Sequence, residues 1–313
     1  GCTGLNSIDM HEMYVHGITI ISTSAFKGLS NLESITMPLT VNRSLFIEDM
    51  AFDNCKKLSS IKMPQAVYGD FCIDSGAFEG CTDLKSIDMH KMYVKGNFKI
   101  GKSAFEGCTS LNSIDMHETD VEGDFNISNS AFKGCLSLNS IKMPQEVGGS
   151  FSIDEHAFED CTGLNSVDMP QAVYGNFSID SGAFEKCSSL DSITMPQTIG
   201  LDFYIDSGAF EGCTDLKSID MHEMYVHSSF TIGSGAFEYL SKLESIKMPQ
   251  TIGHNFTIGP NVFQGCTGLT SIDFPKTIEG DLTVHISAFK EYRGLLDVIK
   301  MMERAVKGNL KIK

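Results

Sequence analysis

Paired cysteines, long apolar runs and basic residues are all scarce in this sequence. None of its 10 cysteines forms a C-x-x-C pair, so a zinc or redox site of the usual spacing is not indicated. No apolar run approaches the roughly 20 residues that a transmembrane helix needs, which predicts no membrane insertion of this segment. The chain begins at Gly1 without Met, so the lack of a leader peptide says little about targeting.

Acidic residues greatly outnumber basic ones. Lys and Arg total 24 against 40 Asp and Glu, which gives a formal net charge of −16 over 313 residues. Binding to a nucleic-acid backbone needs clustered Lys and Arg, and docking on anionic lipid needs a basic surface. The composition therefore disfavours both kinds of partner. With 42% hydrophobic residues, the chain is nevertheless apolar enough to form a large core.

An Ala-Phe dipeptide recurs every 26 or 27 residues along almost the whole chain, with Val262 replacing its alanine once. The recurring phenylalanines are Phe26, Phe52, Phe78, Phe105, Phe132, Phe158, Phe184, Phe210, Phe237, Phe263 and Phe289. Each unit reads roughly F-x-G-C-x-x-L-x-S-I-x-M, followed by a turn, an F-x-I segment and a D-S-G turn. Units of this length predict a solenoid, because each one can bury its apolar face only against its neighbours.

The segments within a unit predict its local structure. L-x-S-I-x-M alternates apolar and polar residues, as a short strand does, so stacked units would form a parallel sheet with one strand per coil. The F-x-I segment predicts a second strand on the opposite side of the coil. Ala-Phe-x-x-Cys predicts a short helical or 3₁₀ turn with Phe filling the interior. We therefore expect a mainly β solenoid of about 11 coils.

The coils of 27 residues carry Met-His where the others carry Met-Pro. Val94 follows Met89 by five residues, whereas Val67 follows Met63 by four. We therefore expect the extra residue to lie in the turn after the first strand.

The pattern A-F-x-G-C-x-x-L-x-x-I-x-x-P resembles the BspA-like class of leucine-rich repeat proteins, and it covers residues 1–289. The unit here is longer in its return segment, and Met stands where that class usually has Leu or another aliphatic residue. The resemblance implies a curved leucine-rich solenoid with its parallel sheet on the concave face. It also implies a place in a surface-exposed or secreted, adhesin-like protein of a microbe.

The two ends of the chain differ from its middle. The sequence enters in the middle of a repeat with no visible cap, so we expect either a fragment of a longer protein or an exposed first coil. Residues 290–313 leave the pattern. Their apolar spacing predicts an amphipathic capping helix over Lys290–Val306. A degenerate twelfth coil is the alternative, because Leu310-Lys311-Ile312 resembles a return strand.

Nine cysteines share one column of the repeat with Leu29 and Leu240. They are Cys2, Cys55, Cys81, Cys108, Cys135, Cys161, Cys187, Cys213 and Cys266. Leucine in the same column indicates a buried apolar position, which favours structural thiols over disulfides or a metal site. Cys72 stands apart on an F-x-I strand, where we expect it to be exposed.

No catalytic, cofactor or metal site is predicted. His90 and His117 fall in adjacent coils and could approach each other, but a solvated turn in which His replaces Pro is the favoured interpretation. Serine occupies one column in all 11 coils, from Ser7 to Ser271, and identical residues cannot all be nucleophiles. No His and acid pair singles out one of them, so we expect a serine ladder on the sheet surface and no enzyme.

Two columns vary while the repeat frame stays fixed: the position between Ile and Met and the position after Leu. Such positions are where a repeat protein would contact a partner, although alternating charges would also serve solubility. Tyr14, Tyr93 and Tyr225 at the rim could add anchors. The predicted binding residues are Asp9, Lys62, Lys85, Asp88, Asp115, Lys142, Asp168, Lys217, Asp220, Lys247 and Asp273.

The function favoured is a non-catalytic protein- or glycan-binding solenoid at a cell surface or in a secreted protein. Its partner would be a host or matrix protein or glycan, and this expectation follows from the family resemblance. The alternative is a structural spacer, because near-identical units such as residues 80–90 and 212–222 suit a segment that needs only length.

Overall fold

The computed structural model describes residues 4–313, which form a parallel β-solenoid of about 12 coils. We number the coils by the leucine that opens each L-x-S-I-x-M segment, from Leu5 in coil 1 to Leu269 in coil 11. Cys2, the first member of the predicted cysteine column, lies outside the described residues. Coils 2 to 11 each contribute strands to three sheets, and one turn closes each of these coils.

The first of these, the Ser-Ile sheet, is the one predicted to line the concave face. All its strand pairs are parallel and in register, so that Ser113 lies beside Ser140 and Ile114 beside Ile141. Its eight-stranded part contains Ser7–Asp9, Ser34–Thr36, Ser60–Lys62, Ser86–Asp88, Ser113–Asp115, Ser140–Lys142, Ser166–Asp168 and Ser192–Thr194. Its three-stranded part contains Ser218–Asp220, Ser245–Lys247 and Ser271–Asp273.

A second sheet was missed by the sequence analysis. Its strands have only two residues, too few for an alternating pattern to be recognised. They are Thr40–Val41, Ala66–Val67, Tyr93–Val94, Asp120–Val121, Glu146–Val147, Ala172–Val173, Thr198–Ile199, Tyr225–Val226, Thr251–Ile252 and Thr277–Ile278. We call this the short-strand sheet. The extra residue of the Met-His coils lies in the turn before it, where Lys91 has a φ of 59° and Met92 is buried.

The predicted F-x-I strands form the return sheet, which is continuous over 12 strands. In strands such as Phe98–Ile100, the first and last residues point inward and the middle residue points out. The strands are Thr19–Ile21, Leu45–Ile47, Phe71–Ile73, Phe98–Ile100, Phe125–Ile127, Phe151–Ile153, Phe177–Ile179, Phe203–Ile205, Phe230–Ile232, Phe256–Ile258, Leu282–Val284 and Leu310–Ile312.

The Ala-Phe turn closes the coil on its fourth side, and backbone hydrogen bonds join neighbouring coils there too. The N–H of Phe78 donates to the carbonyl of Ala104 at 2.8 Å, and the N–H of Gly80 donates to that of Glu106 at 2.9 Å. The residue before Ala has a left-handed backbone, with φ of 61° at Gly76 and 55° at Ser130. This conformation explains the Asp-Ser-Gly signal at this point.

Two phenylalanine ladders fill the interior. Phe78 of the turn stacks on Phe105 with ring centroids 5.1 Å apart and ring planes 3° from parallel. Phe98 of the return sheet stacks on Phe125 in the same way, at 4.8 Å. Beyond coil 1, both ladders are buried, as are nearly all Leu, Ile and Met residues of the Ser-Ile sheet. Each coil therefore buries its apolar residues mainly against identical residues of the next coil.

The cysteine column is part of this core. Cys81 is fully buried, and its thiol donates a hydrogen bond to the carbonyl of Phe52 in the preceding coil at 3.2 Å. Each of the other described cysteines of the column donates the same bond to the Ala-Phe phenylalanine of the preceding coil. All described cysteines carry free thiols, and Cys72 alone is half-buried.

The C-terminal segment combines the two predicted alternatives. A 3₁₀ turn at Ile286–Phe289 precedes helix α1, Leu295–Ala305, which begins five residues later than predicted because Phe289 and Tyr292 still follow the turn of the repeat. Val306 then pairs with Ile278, and Leu310–Ile312 joins the return sheet. The segment is therefore a twelfth coil in which a helix replaces the Ser-Ile strand. Residues 4–313 contain no helix with the length and apolarity to cross a membrane.

The buried thiols predict a specific pattern of chemical reactivity. In a Cys2→Ser variant, DTNB should modify only Cys72 of the nine remaining cysteines under native conditions. Its reaction should be slow, because burial raises the pKa of the Cys72 thiol to about 11. All nine should react after denaturation. Rapid modification of several thiols in the native protein would contradict the buried column.

Candidate functional site: the Ser-Ile face

The predicted binding residues all lie on the outer surface of the Ser-Ile sheet, where each is exposed or half-buried. Parallel register sets them in two rows, since Asp88, Asp115 and Lys142 are direct neighbours in successive coils. Adjacent strands of a sheet lie about 4.8 Å apart, so side chains of neighbouring coils in one row can touch.

Four of the predicted aspartates have a structural role that the sequence analysis missed. The carboxylate of Asp115 accepts a hydrogen bond from the backbone N–H of His117 at 3.0 Å. Asp9, Asp88 and Asp220 accept the same bond from the histidine two residues later. The signal was present, because every Met-His coil carries Asp before its Met. In Met-Pro coils the second residue on is proline, which has no N–H to donate.

Most lysines of the face are paired with carboxylates of neighbouring coils. Lys142 lies 3.3 Å from Asp115, and Lys247 lies 2.7 Å from Asp220. Burial would raise the pKa of Asp220, but hydrogen bonds from Lys247 and the His222 N–H outweigh it and lower that pKa. Such exposed pairs contribute little stability. They do fix the positions of charges that a partner would meet.

The remaining predicted residues are arranged differently. Asp168 accepts a hydrogen bond from the Thr194 hydroxyl at 3.1 Å. Within residues 4–313, no ion pair involves Lys62, Lys85 or Asp273. These three groups are therefore available to a partner without breaking a contact of the solenoid.

The Ser-Ile sheet is interrupted between coils 8 and 9. Ser192–Thr194 does not pair with Ser218–Asp220, whereas the short-strand and return sheets continue through the same junction. In coils 2 to 11, the residue after the leucine that opens the coil donates its backbone N–H to a carbonyl of the preceding coil. Lys217 is the exception among these described coils. Its side chain instead reaches Asp191 at 2.9 Å. We call this junction the seam. No residue of coils 8 and 9 explains why the Ser-Ile strands are unpaired there.

A cavity of about 450 Å³ opens on the Ser-Ile face at the seam. Its floor is apolar, and it includes Ile193 and Met195, whose exposures of 8% and 7% exceed those of their counterparts in coil 7. Thr194, Asp220 and Lys247 form part of its polar rim. The cavity thus adjoins two of the predicted binding residues, and it could accommodate a side chain of a partner.

The other candidate residues lie on different surfaces. Tyr14 and Tyr225 point outward on the short-strand side, with exposures of 69% and 43%. The hydroxyl of Tyr93 donates to Glu122 at 2.6 Å, which raises the pKa of Tyr93 to about 12. His90 and His117 contact Glu118 and Gln145, respectively, and no hydrogen bond joins the two histidines within residues 4–313.

Comparison with known proteins identifies the class of repeat. The chain belongs to the family described as the BspA type leucine-rich repeat region, whose model matches residues 1–122, 72–200, 125–254 and 177–300. The predicted family is thereby confirmed. A comparison with curated proteins finds no match.

Solved structures of leucine-rich repeat proteins are also similar. One from Bacteroides ovatus is 21% identical, with a TM-score of 0.29 and coverage of 97% of this chain and 92% of that one. The T. pallidum leucine-rich repeat protein is 20% identical, with a TM-score of 0.38 and coverage of 69% and 80%. The pneumococcal vaccine antigen PcpA is 14% identical, with a TM-score of 0.32 and coverage of 99% and 89%. Identities this low concern the fold alone.

The aspartate–histidine turns predict a difference between two chemically identical substitutions. Asp115→Ala removes the acceptor for the His117 N–H together with the exposed partner of Lys142, and it should lower the free energy of unfolding by about 0.5–1 kcal/mol. Asp273→Ala should have almost no effect, because Pro275 provides no N–H. Chemical denaturation would measure both changes, and Asp115→Asn, which keeps an acceptor, should recover most of the loss. Equal effects at the two positions would contradict the structural role.

The same bond predicts the pH dependence of stability. Burial opposes ionisation of Asp115, but hydrogen bonds from His117 and Lys142 outweigh it and lower its pKa. A carboxyl group with a lowered pKa stabilises the folded state above its unfolded pKa and loses that contribution as the pH falls through its folded pKa. The stability difference between wild type and Asp115→Ala should therefore shrink below about pH 4.

The seam predicts a local gap in protection from hydrogen exchange. The amide of Glu244 donates to Lys217 O at 2.8 Å, whereas the amide of Lys217 has no such partner within residues 4–313. Lys217 should exchange at least about tenfold faster than Glu244, measured by NMR or by mass spectrometry of overlapping peptides. Equal protection of the two amides would show that the strands on either side of the seam are hydrogen-bonded to each other.

Proposed function

We propose that this solenoid is a non-catalytic binding module of a cell-surface or secreted protein, and that it engages a protein partner through the Ser-Ile face. The seam is the principal contact. The observation that carries this proposal is the coincidence of the only interruption among the described strands of that sheet with a cavity rimmed by predicted binding residues. The seam is where this face departs from the pattern that its other described coils share.

The surface around the seam supports a protein partner. Asp220 and Lys247 provide fixed charges of both signs around an apolar floor, and an apolar centre with a polar rim is typical of protein interfaces. The free lysines Lys62 and Lys85 extend the polar surface toward coil 3. The placement at a cell surface rests on the family, whose members are often surface-exposed or secreted.

A structural spacer is the second candidate. Its support is the near identity of the coils and the continuity of the return sheet over 12 strands, which suit a stiff segment of defined length. A spacer has no preferred contact surface. The two functions therefore differ in what a substitution at the seam would do.

The test uses an array of extracellular-matrix proteins and glycans probed with the purified chain. Thr194→Arg places a long side chain at the mouth of the seam cavity without touching the core. Thr251→Arg is the matched control, because Thr251 lies on the short-strand sheet. We expect binding to a protein to weaken at least tenfold in Thr194→Arg and to persist in Thr251→Arg.

Other results would overturn parts of this proposal. Binding to glycans alone would replace the protein partner with a glycan. Equal binding by the wild type and Thr194→Arg would move the contact away from the seam. No binding by the folded protein to any array member would favour the spacer.

A further inference from the structure

The Ala-Phe turns carry a cluster of side chains on the side of the coil that the proposed function does not use. In every such turn before the last, the residue two positions before Phe has a left-handed backbone, and it is usually Gly or Ser. Coil 6 has His156 there, with a φ of 55°, and no other unit has histidine in this column. A backbone conformation that histidine seldom adopts holds its imidazole against the turns of coils 6 and 7.

Two glutamates face this imidazole. The Nδ1 atom of His156 lies 3.4 Å from Oε2 of Glu159 and 3.5 Å from Oε2 of Glu185. Nδ1 is shielded from solvent and makes no hydrogen bond within residues 4–313. Glu159 is itself buried, which is unusual for a carboxylate. The three potential ligand atoms lie within 4.8 Å of one another.

We propose that His156, Glu159 and Glu185 bind a divalent transition-metal ion, with Zn²⁺ as the best fit. Zinc binds imidazole nitrogen and carboxylate oxygen at about 2.0–2.2 Å in a tetrahedron, which separates the ligand atoms by about 3.3–3.6 Å. The two distances from Nδ1 match that edge length. The side chains of His156 and Glu185 are 37% and 20% exposed, so the cluster lies at the surface of the turns.

The donor set favours zinc over calcium or magnesium. Imidazole suits zinc and its neighbours in the first transition series, whereas calcium takes six to eight oxygen ligands.

A neighbouring carboxylate also orients the imidazole ring of His156. Oε1 of Glu155 lies 3.6 Å from Nε2 of His156, on the far side of the imidazole. A carboxylate near Nε2 favours a proton there, which leaves the Nδ1 lone pair for the metal.

Two lysines compensate the charge of the glutamates. Lys133 lies 2.6 Å from Oε2 of Glu159, and Lys186 lies 2.7 Å from Oε1 of Glu185. Lys186 also lies 3.6 Å from Oε1 of Glu159, so two ammonium groups neighbour this carboxylate. A metal ion must share Oε2 of Glu159 with Lys133. Lys133 therefore competes with the metal ion for this oxygen. Removing Lys133 should strengthen metal binding, which would not be expected of a network of ion pairs alone.

The experiment is isothermal titration of the native protein with ZnCl₂ in a buffer that does not chelate metals. We expect one equivalent to bind with a Kd in the micromolar range. His156→Asn and Glu185→Gln should each weaken binding at least tenfold. Asn261 occupies the column of His156 with a φ of 57°, so asparagine fits this backbone. Thermal melting is unsuitable, because thiols of the unfolded chain would also bind zinc.

Lys133→Gln distinguishes a metal site from a network of ion pairs. Gln264 occupies the same column, so the substitution suits the fold. Removal of the competing ammonium should tighten zinc binding several-fold. His254→Asn, a change of an exposed histidine outside the cluster, is the control and should leave binding unchanged. Absence of a one-equivalent site in the wild type would overturn the proposal, as would unchanged binding in both His156→Asn and Glu185→Gln.

Discussion

Backbone hydrogen bonding between coils in strict register is the constraint on which the rest of this structure depends. It operates on all four sides of the coil: in the Ser-Ile, short-strand and return sheets and at the Ala-Phe turn. Register places each residue beside its counterpart in the next coil. The stacked phenylalanines and the cysteine thiols bonded to phenylalanine carbonyls are consequences of this alignment. Hydrophobic burial then accumulates coil by coil, as in other solenoids.

The same alignment places like charges together on the outside. Burial raises the pKa of Glu211, and the neighbouring carboxylates Glu185 and Glu238 raise it further. Lysines placed at intervals, such as Lys133 and Lys186, relieve this repulsion locally. Functional specificity must therefore arise where a coil departs from the pattern. The two proposals concern such places: the seam on the Ser-Ile face and the histidine turn of coil 6.

The periodic part of the fold could be predicted from the sequence, because a pattern repeated in every unit specifies one coil and its neighbours at once. The Ala-Phe column predicted about 11 coils, to which the C-terminal segment adds a twelfth, and leucine in the cysteine column indicated burial. The two-residue strands such as Tyr93–Val94 are too short to leave a pattern. The seam leaves no pattern in the sequence either, because Asp191 and Lys217 are of the same polar kind as the other residues that follow the coil leucine. His156 and Glu185 are 29 residues apart, and only the stacked turns bring them together.

The seam also gives the solenoid a preferred point of mechanical failure. A pulling force along the axis is carried by the hydrogen bonds between coils, and most junctions share that load among three sheets and a turn. Between coils 8 and 9 the Ser-Ile sheet carries none of it. Under tension along the axis, separation would begin there. Coils 1–8 would part from the C-terminal coils before either block unravelled.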